Sequence, residues 1–194
     1  HYPLPVRERV AALMEATPSL HDGRIVLWHG PPGTGKTTAI RALASAWRDR
    51  ARIQVVLDPD GVLGRASTLM EVLREEPDDA EQWRVLVIED ADELIRADAK
   101  ARVGQSLSRL LNVGDGILGQ GIRVVVLITT NEPIDRLHPA LSRPGRCLAQ
   151  IEFRRAAGGQ IHEINLAGLG KAIAVVGVLL VAHEPVLARH AFEG

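Results

Sequence analysis

A chain of 194 residues with 46% hydrophobic and 24% charged residues can build a sizeable core, which excludes a disordered protein. Its formal net charge of -1 excludes a nucleic-acid-coating polycation and a polyacidic tail. The single cysteine, Cys147, excludes an internal disulfide and a multi-thiolate metal site, and it reads as an intracellular, cytoplasmic chain. The apolar stretch 172–182 is shorter than the roughly 20 residues a bilayer span requires, so no membrane partner is expected. The chain opens on His1 rather than Met, so its own start is expected upstream.

In chain order, Val6, Val10, Leu13 and Met14 recur at helical spacing, predicting an amphipathic helix over 6–17 that Pro18 closes. Residues 24–28 form a short β-favouring run that stops at Gly30. After a Gly/Pro-rich turn, Ile40, Leu43 and Trp47 share one face of a predicted helix over 37–50. The alternation then repeats, with strands expected at 53–57, 85–88, 123–130 and 148–153, and helices at 67–76 and 99–111. Strands separated by helices imply a parallel sheet covered on both faces. The apolar runs 85–88 and 124–128 suit its buried centre. From Arg154 onward the texture changes to a basic, then Gly/Ala-rich segment, and 172–182 fits either a buried strand or a helix.

Gly30-Pro-Pro-Gly-Thr-Gly-Lys-Thr37 matches the phosphate-loop pattern GxxxxGK[ST] between a predicted strand and a predicted helix. A Gly/Pro-rich turn with an accidental lysine would not reproduce all eight positions in that context. Gly30, Gly33 and Gly35 let backbone N–H groups turn inward around a triphosphate, and the following helix points its positive end at the same charge. The candidate nucleotide-binding residues are Gly30, Pro31, Pro32, Gly33, Thr34, Gly35, Lys36, Thr37 and Thr38. Lys36 is expected on the β- and γ-phosphates and the Thr37 hydroxyl on Mg²⁺.

Residues 85–88 end in Glu89-Asp90, which delivers two carboxylates to the sheet edge where ligands bind. Glu89 is the candidate Mg²⁺ group, acting through water, and Asp90 the candidate for activating the attacking water. A strand end that merely caps the next helix is the competing reading, and the phosphate loop makes it the lesser one. Asp92 and Glu93 are expected to favour the first turn of that helix. Thr129-Thr-Asn131 ends the next apolar strand, where an amide can hold a water against the γ-phosphate. Arg143 and Arg146, three residues apart across a Pro-Gly turn, suit phosphate or carboxylate recognition or form a solvated surface turn.

Taken together, GPPGTGKT, the acid-tipped strand, the strand ending in Asn131 and Leu137-His-Pro-Ala-Leu-Ser-Arg-Pro-Gly-Arg146 resemble the AAA clade of the AAA+ ATPases over about residues 24–153. Leu111-Asn-Val-Gly-Asp-Gly116 also looks like that family. The resemblance implies a P-loop NTPase α/β three-layer sandwich with a five-stranded parallel sheet of order 5-1-4-3-2. It implies ATP and Mg²⁺ at subunit boundaries and a homo-oligomer, usually a hexameric ring. It also makes Asn131 the γ-phosphate sensor and Arg143 and Arg146 fingers toward a neighbour's ATP.

Three features depart from the family. The acids run Glu89 then Asp90 instead of Asp then Glu, and residues 59–64 offer Val62 and Leu63 where an aromatic threading residue is usual. No helical lid is recognisable in 154–194, so the core is expected over 1–153 with an atypical tail behind it.

His162-Glu163 and His183-Glu184 lack the second histidine of a zinc-protease motif. Cys147, Trp28, Trp47 and Trp83 read as packing residues. The sequence therefore points to an ATP-hydrolysing domain that remodels an unknown protein client. The alternative is a nucleotide-gated scaffold with little turnover. A nucleic-acid partner is not expected, because no basic stripe is present.

Overall fold

Continuous apolar strands have no polar face to turn to water, so helices must cover both sides of the sheet they form. The computed structural model describes residues 2–19, 23–74, 82–96, 101–115, 122–143, 145–155 and 176–179. The elements are α1 (Leu4–Glu15), β1 (Ile25–His29), α2 (Lys36–Trp47), β2 (Ala51–Val56), α3 (Pro59–Gly64), α4 (Ala66–Arg74), β3 (Trp83–Ile88), α5 (Asp92–Ile95), α6 (Ala101–Asp115), β4 (Val124–Thr130), β5 (Cys147–Glu152) and β6 (Val176–Leu179). Two 3₁₀ turns, Ile134–Arg136 and Pro139–Ser142, lie between β4 and β5.

The described strands pair in parallel throughout the sheet, in the order β5-β1-β4-β3-β2-β6. The expected five-strand order is present and a sixth strand extends it, with Val176 to Leu179 in register with Ile53 to Val56. That resolves the strand-or-helix ambiguity for those four residues, since Val-rich segments fit a pleated surface. The rest of the tail beyond Arg155, including His162-Glu163 and His183-Glu184, lies outside the described residues. Among the described residues no helix is long and apolar enough to cross a membrane.

The core divides by strand parity. Ile25 and Leu27 of β1, Leu86 and Ile88 of β3, and Val124, Val126 and Ile128 of β4 pack on one face with α3, α4, α5 and α6. Val26 and Trp28, Val85 and Val87, and Val125 and Leu127 pack on the other with α1 and α2. Trp28 and Trp47 are fully buried and Trp83 nearly so, as packing residues should be. Cys147 is half-buried against the first face, and burial pushes its thiol up.

Residues 59–64 form a helix where the family resemblance places a threading loop. The Asp58 carboxylate accepts from the Gly61 N–H at 2.9 Å and Pro59 starts the first turn. Val62 and Leu63 are each only 2% exposed and belong to the core, so they do not present apolar side chains to a client.

In an α/β layer the helices run back against the strands, which leaves helix C-terminal carbonyls at the strand N-termini without intrahelical partners. Arginines meet them. Arg84, 3% exposed at the start of β3, donates to the Val72 and Leu73 carbonyls of α4 at 2.6 Å each. Arg50, just before β2, reaches the Glu15 and Ala16 carbonyls at the end of α1 at 3.1 Å, and Arg109, within α6, reaches the Leu63 and Gly64 carbonyls of α3 at 2.9 and 2.8 Å. Arg24 donates to the Ile122 carbonyl at 2.9 Å and also lies over the Trp83 ring, 4.9 Å from its centroid.

Candidate active site

The β5-β1-β4-β3 order sets the C-terminal ends of β1, β4 and β3 side by side, and each end carries one part of the site. From β1 the chain enters the loop 30–37. Gly30 sits at φ 133°, where a Cβ would run into the Phe153 carbonyl oxygen, so the β5 end closes on the loop. Gly33 sits at φ 74° with open space where its Cβ would be, so the loop's backbone is bare on the ligand side. The twelve-residue α2 follows, and no side chain caps its N-terminus. Its first N–H groups and its dipole therefore remain available to an anion, which fits a triphosphate.

Lys36 crosses this cradle. Its ammonium donates to the Gly30 carbonyl at 2.6 Å, to the Pro31 carbonyl at 3.2 Å and to Asn131 Oδ1 at 2.9 Å. Burial lowers its pKa, while the charges of Asp90 and Asp92 pull the other way. From β3, Glu89 accepts a hydrogen bond from the Thr37 hydroxyl at 2.7 Å. Two adjacent oxygen groups at the foot of a phosphate cradle suit a hard cation such as Mg²⁺, which keeps most of its waters. Thr34 is buried and donates to the Pro31 carbonyl at 2.8 Å, while Pro31 and Pro32 are exposed on the loop and Thr38 is half-buried in α2.

Asp90 is exposed and adopts φ 50°, the one non-glycine residue with positive φ among those described. Two bonds hold that conformation: the Asp90 N–H donates to Thr129 Oγ1 at 3.1 Å and the Ala91 N–H to the Thr129 carbonyl at 2.9 Å. From β4, Asn131 Nδ2 donates to Asp90 Oδ1 at 3.1 Å. Asn131 thus bridges the loop lysine and the second carboxylate.

Sequence reading missed two contributors. Asp92 is in the first turn of α5, as expected, but its carboxylate turns to the end of β4. It accepts from the Thr130 hydroxyl at 2.6 Å and from the Asn131 backbone N–H at 2.8 Å. Tyr2 lies against the phosphate loop, with its hydroxyl donating to the Gly35 carbonyl at 2.7 Å and its ring edge-on to Phe153 at 5.6 Å. Burial pushes the Tyr2 pKa up to about 12. No sequence pattern marks that docking, because the contact joins an isolated N-terminal aromatic to a loop glycine.

Arg143 and Arg146 are not gathered into this cluster. They precede β5, whose N-terminal end is level with the start of β1, since the Ile25 N–H donates to the Arg146 carbonyl at 3.0 Å. The phosphate loop follows the other end of β1, five residues on and about 16 Å away at 3.3 Å per residue. The two arginines also differ from one another. Arg143 is exposed, whereas Arg146 is half-buried and donates to the Ala140 carbonyl at 3.1 Å.

With this geometry in place, the match to known proteins is decisive for the family. Residues 26–155 match the model of the ATPase family associated with various cellular activities (AAA). The chain belongs to the AAA family. It is a P-loop, nucleotide-binding ATPase domain of that family. It is 33% identical over 137 residues to Protein SAV of Sulfolobus acidocaldarius, covering 66% of this chain and 17% of that protein. It is 36% identical over 139 residues to the ATPase histone chaperone YTA7 of Saccharomyces cerevisiae, covering 67% and 10%. With the ATPase family gene 2 protein of Schizosaccharomyces pombe it shares 35% over 162 residues, covering 77% and 19%. The chain thus spans a fifth or less of these relatives' lengths. A chain of the E. coli MS115-1 HORMA:CdnC:Trip13 complex shares its fold, with a TM-score of 0.56 at 22% identity over 71% of this chain and 50% of that one.

Proposed function

We propose that this AAA domain hydrolyses ATP with Mg²⁺ and completes its site with an arginine from a second copy, coupling turnover to remodelling of a protein client. The observation that carries the reading is the convergence on the α2 N-terminus of Lys36, Thr37, Glu89, Asp90 and Asn131 from three adjacent strand ends. In this reading the loop N–H groups bind the α- and β-phosphates, and Lys36 leaves the Gly30 carbonyl for the β- and γ-phosphate oxygens. Thr37 and Glu89 would hold Mg²⁺, which neutralises phosphate charge when bound. Asp90 takes the proton of the attacking water, and Asn131 holds that water in line.

The trans role of Arg143 is supported by distance. An arginine at the opposite edge of the sheet cannot span it to its own chain's γ-phosphate, whereas an exposed one is presented to another molecule. Arg146, tied to Ala140, shapes the turn that carries Arg143 and adds a second positive charge beside it. An oligomer, a ring among the possibilities, supplies the required neighbour. That some relatives are named histone chaperones supports a protein client.

A second reading, a nucleotide-gated scaffold with little turnover, is favoured by one observation: the acid in the water-activating position is the shorter of the pair. Steady-state phosphate release separates the two. The hydrolase reading expects Mg²⁺-dependent release that Asp90→Asn abolishes while ATP binding persists. Tight ATP binding with no release by the wild-type chain would leave the scaffold reading.

A further inference from the structure

Resting on that reading of the site, we propose that Asp92 is a positioning residue that grips Asn131 at backbone and side chain and so holds its amide in place between Lys36 and Asp90. The two ends of an asparagine amide are nearly alike in shape, so their orientation is decided by the groups they meet. Lys36 offers only donors and takes Oδ1 at 2.9 Å. Asp90 and Asp92 offer only acceptors, and Nδ2 donates to them at 3.1 and 3.4 Å.

What singles out Asp92 is that its three donors all come from the end of β4. Oδ1 takes the Thr130 hydroxyl at 2.6 Å and the Asn131 backbone N–H at 2.8 Å, and Oδ2 takes the Asn131 side chain. It thereby grips Asn131 at both backbone and side chain. An acid at a helix start ordinarily serves its own helix, but here no side chain caps α5, whose four residues offer little dipole to serve. The carboxylate remains an acceptor under these conditions: burial pushes its pKa up, yet the bonds from Thr130 and Asn131, with the Lys36 charge, hold it below the usual range.

The consequence for function is selective. In that reading Asn131 faces the γ-phosphate and the α- and β-phosphates rest on the loop N–H groups, so the placement of Asn131 bears on hydrolysis and on preference for ATP over ADP. Replacing the acceptor by an amide in Asp92→Asn removes the charge and offers a donor of its own. The Asn131 amide, still turned by Lys36 and Asp90, then loses the grip that holds it in place between them, and a misplacement of about 1 Å can lower rate by about 10²-fold.

The test uses the 194-residue chain with Mg²⁺, measuring Kd for ADP and for a non-hydrolysable ATP analogue by calorimetry, and kcat by phosphate release. Asp92→Asn is expected to leave the ADP Kd within about twofold while the ATP-over-ADP preference and kcat each fall about tenfold or more, on the scale of other orienting partners. Asn131→Ala should show the same pattern, and the double variant should be no worse than Asn131→Ala alone. Asp92→Glu, which keeps a carboxylate, should recover part of both.

A role confined to folding would instead lower ADP and ATP binding together. Unchanged ATP preference and kcat in Asp92→Asn, or losses that add in the double variant, would overturn the proposal. The nucleotide-free chain gives an independent reading. The Asn131 side-chain amide protons should exchange slowly in wild type and fast in Asp92→Asn, and equal rates would also overturn it. Failure of the wild-type chain to bind either nucleotide would sink the nucleotide site itself, and the amide measurement would then judge Asp92 alone.

Discussion

The reversed acid pair is the feature of the site with the most direct kinetic consequence, and exchanging it in the double variant Glu89→Asp/Asp90→Glu tests both positions. At position 89 the shorter side chain withdraws from the Thr37 hydroxyl, ending a 2.7 Å bond. At position 90 the longer one brings a carboxylate closer to the water, where about 1 Å of placement is worth up to about 10²-fold in rate. The backbone opposes the exchange. Asp90 sits at φ 50°, which aspartate and asparagine tolerate and longer side chains resist, at a cost of about 1 kcal/mol.

For a chain of this length that cost corresponds to a Tm about 2–4 °C lower. The expected outcome is faster phosphate release with little change in ATP affinity, together with a slightly lower Tm. Asp90→Asn, by contrast, keeps the tolerated backbone and an acceptor for Asn131, so its Tm should match wild type while release stops. Phosphate release by Asp90→Asn at the wild-type rate would refute the assignment of water activation to position 90. A double variant slower than wild type at unchanged Tm would refute the argument from side-chain reach.

Mixing Arg143→Ala chains with Lys36→Ala chains should restore activity at mixed interfaces, and no recovery at any ratio despite co-assembly would place Arg143 outside the neighbour's site. Arg84→Met should lower stability by about 3 kcal/mol, because two buried carbonyls lose charged donors worth about 1.5–3 kcal/mol each, less the relief of unburying a guanidinium. That is a Tm lower by on the order of 10 °C, and a change within 1 °C would contradict the account of the helix ends. Tyr2 is the one tyrosine, so absorbance titration isolates it. Its pKa is raised, so its contribution to stability is present below pH 10.0 and lost as pH rises toward about 12. Titration near 10 in the folded chain would show that Tyr2 does not dock on the loop.

The parts of the molecule legible in the sequence are those whose cause is local. Apolar runs marked the strands, helical spacing marked α1 and α2, and the glycine spacing of the loop marked the turn from β1 into α2, where Gly30, Gly33 and Gly35 take positive φ. The alternation of strands and helices implied parallel pairing, and the family resemblance implied the order of the five strands that β6 extends.

What was not legible arises from convergence or competition. Residues 59–64 were placed at a loop by the family resemblance alone, but the Asp58 cap, Pro59 and the burial of Val62 and Leu63 make them a helix. Asp92 satisfied a local rule for helix starts, and only the juxtaposition of β3 and β4 ends gave its carboxylate the Thr130 and Asn131 donors. Arg143 and Arg146 were equivalent as letters, and it is the Ala140 carbonyl that separates them. The arginines at the strand starts went unread for the same reason: their partners are carbonyls, which leave no mark on sequence.

The central claim, that residues 30–37 cradle the phosphates of ATP, is tested most directly by calorimetric titration of the folded chain and of Lys36→Ala with ATP and Mg²⁺. Lys36 supplies a charge-assisted contact to phosphate from a buried position, so its removal should weaken ATP binding by about tenfold or more while the circular dichroism spectrum stays that of wild type. A wild-type chain that is folded and shows no Mg²⁺-dependent affinity for ATP, or a Lys36→Ala chain that binds as tightly as wild type, would contradict it.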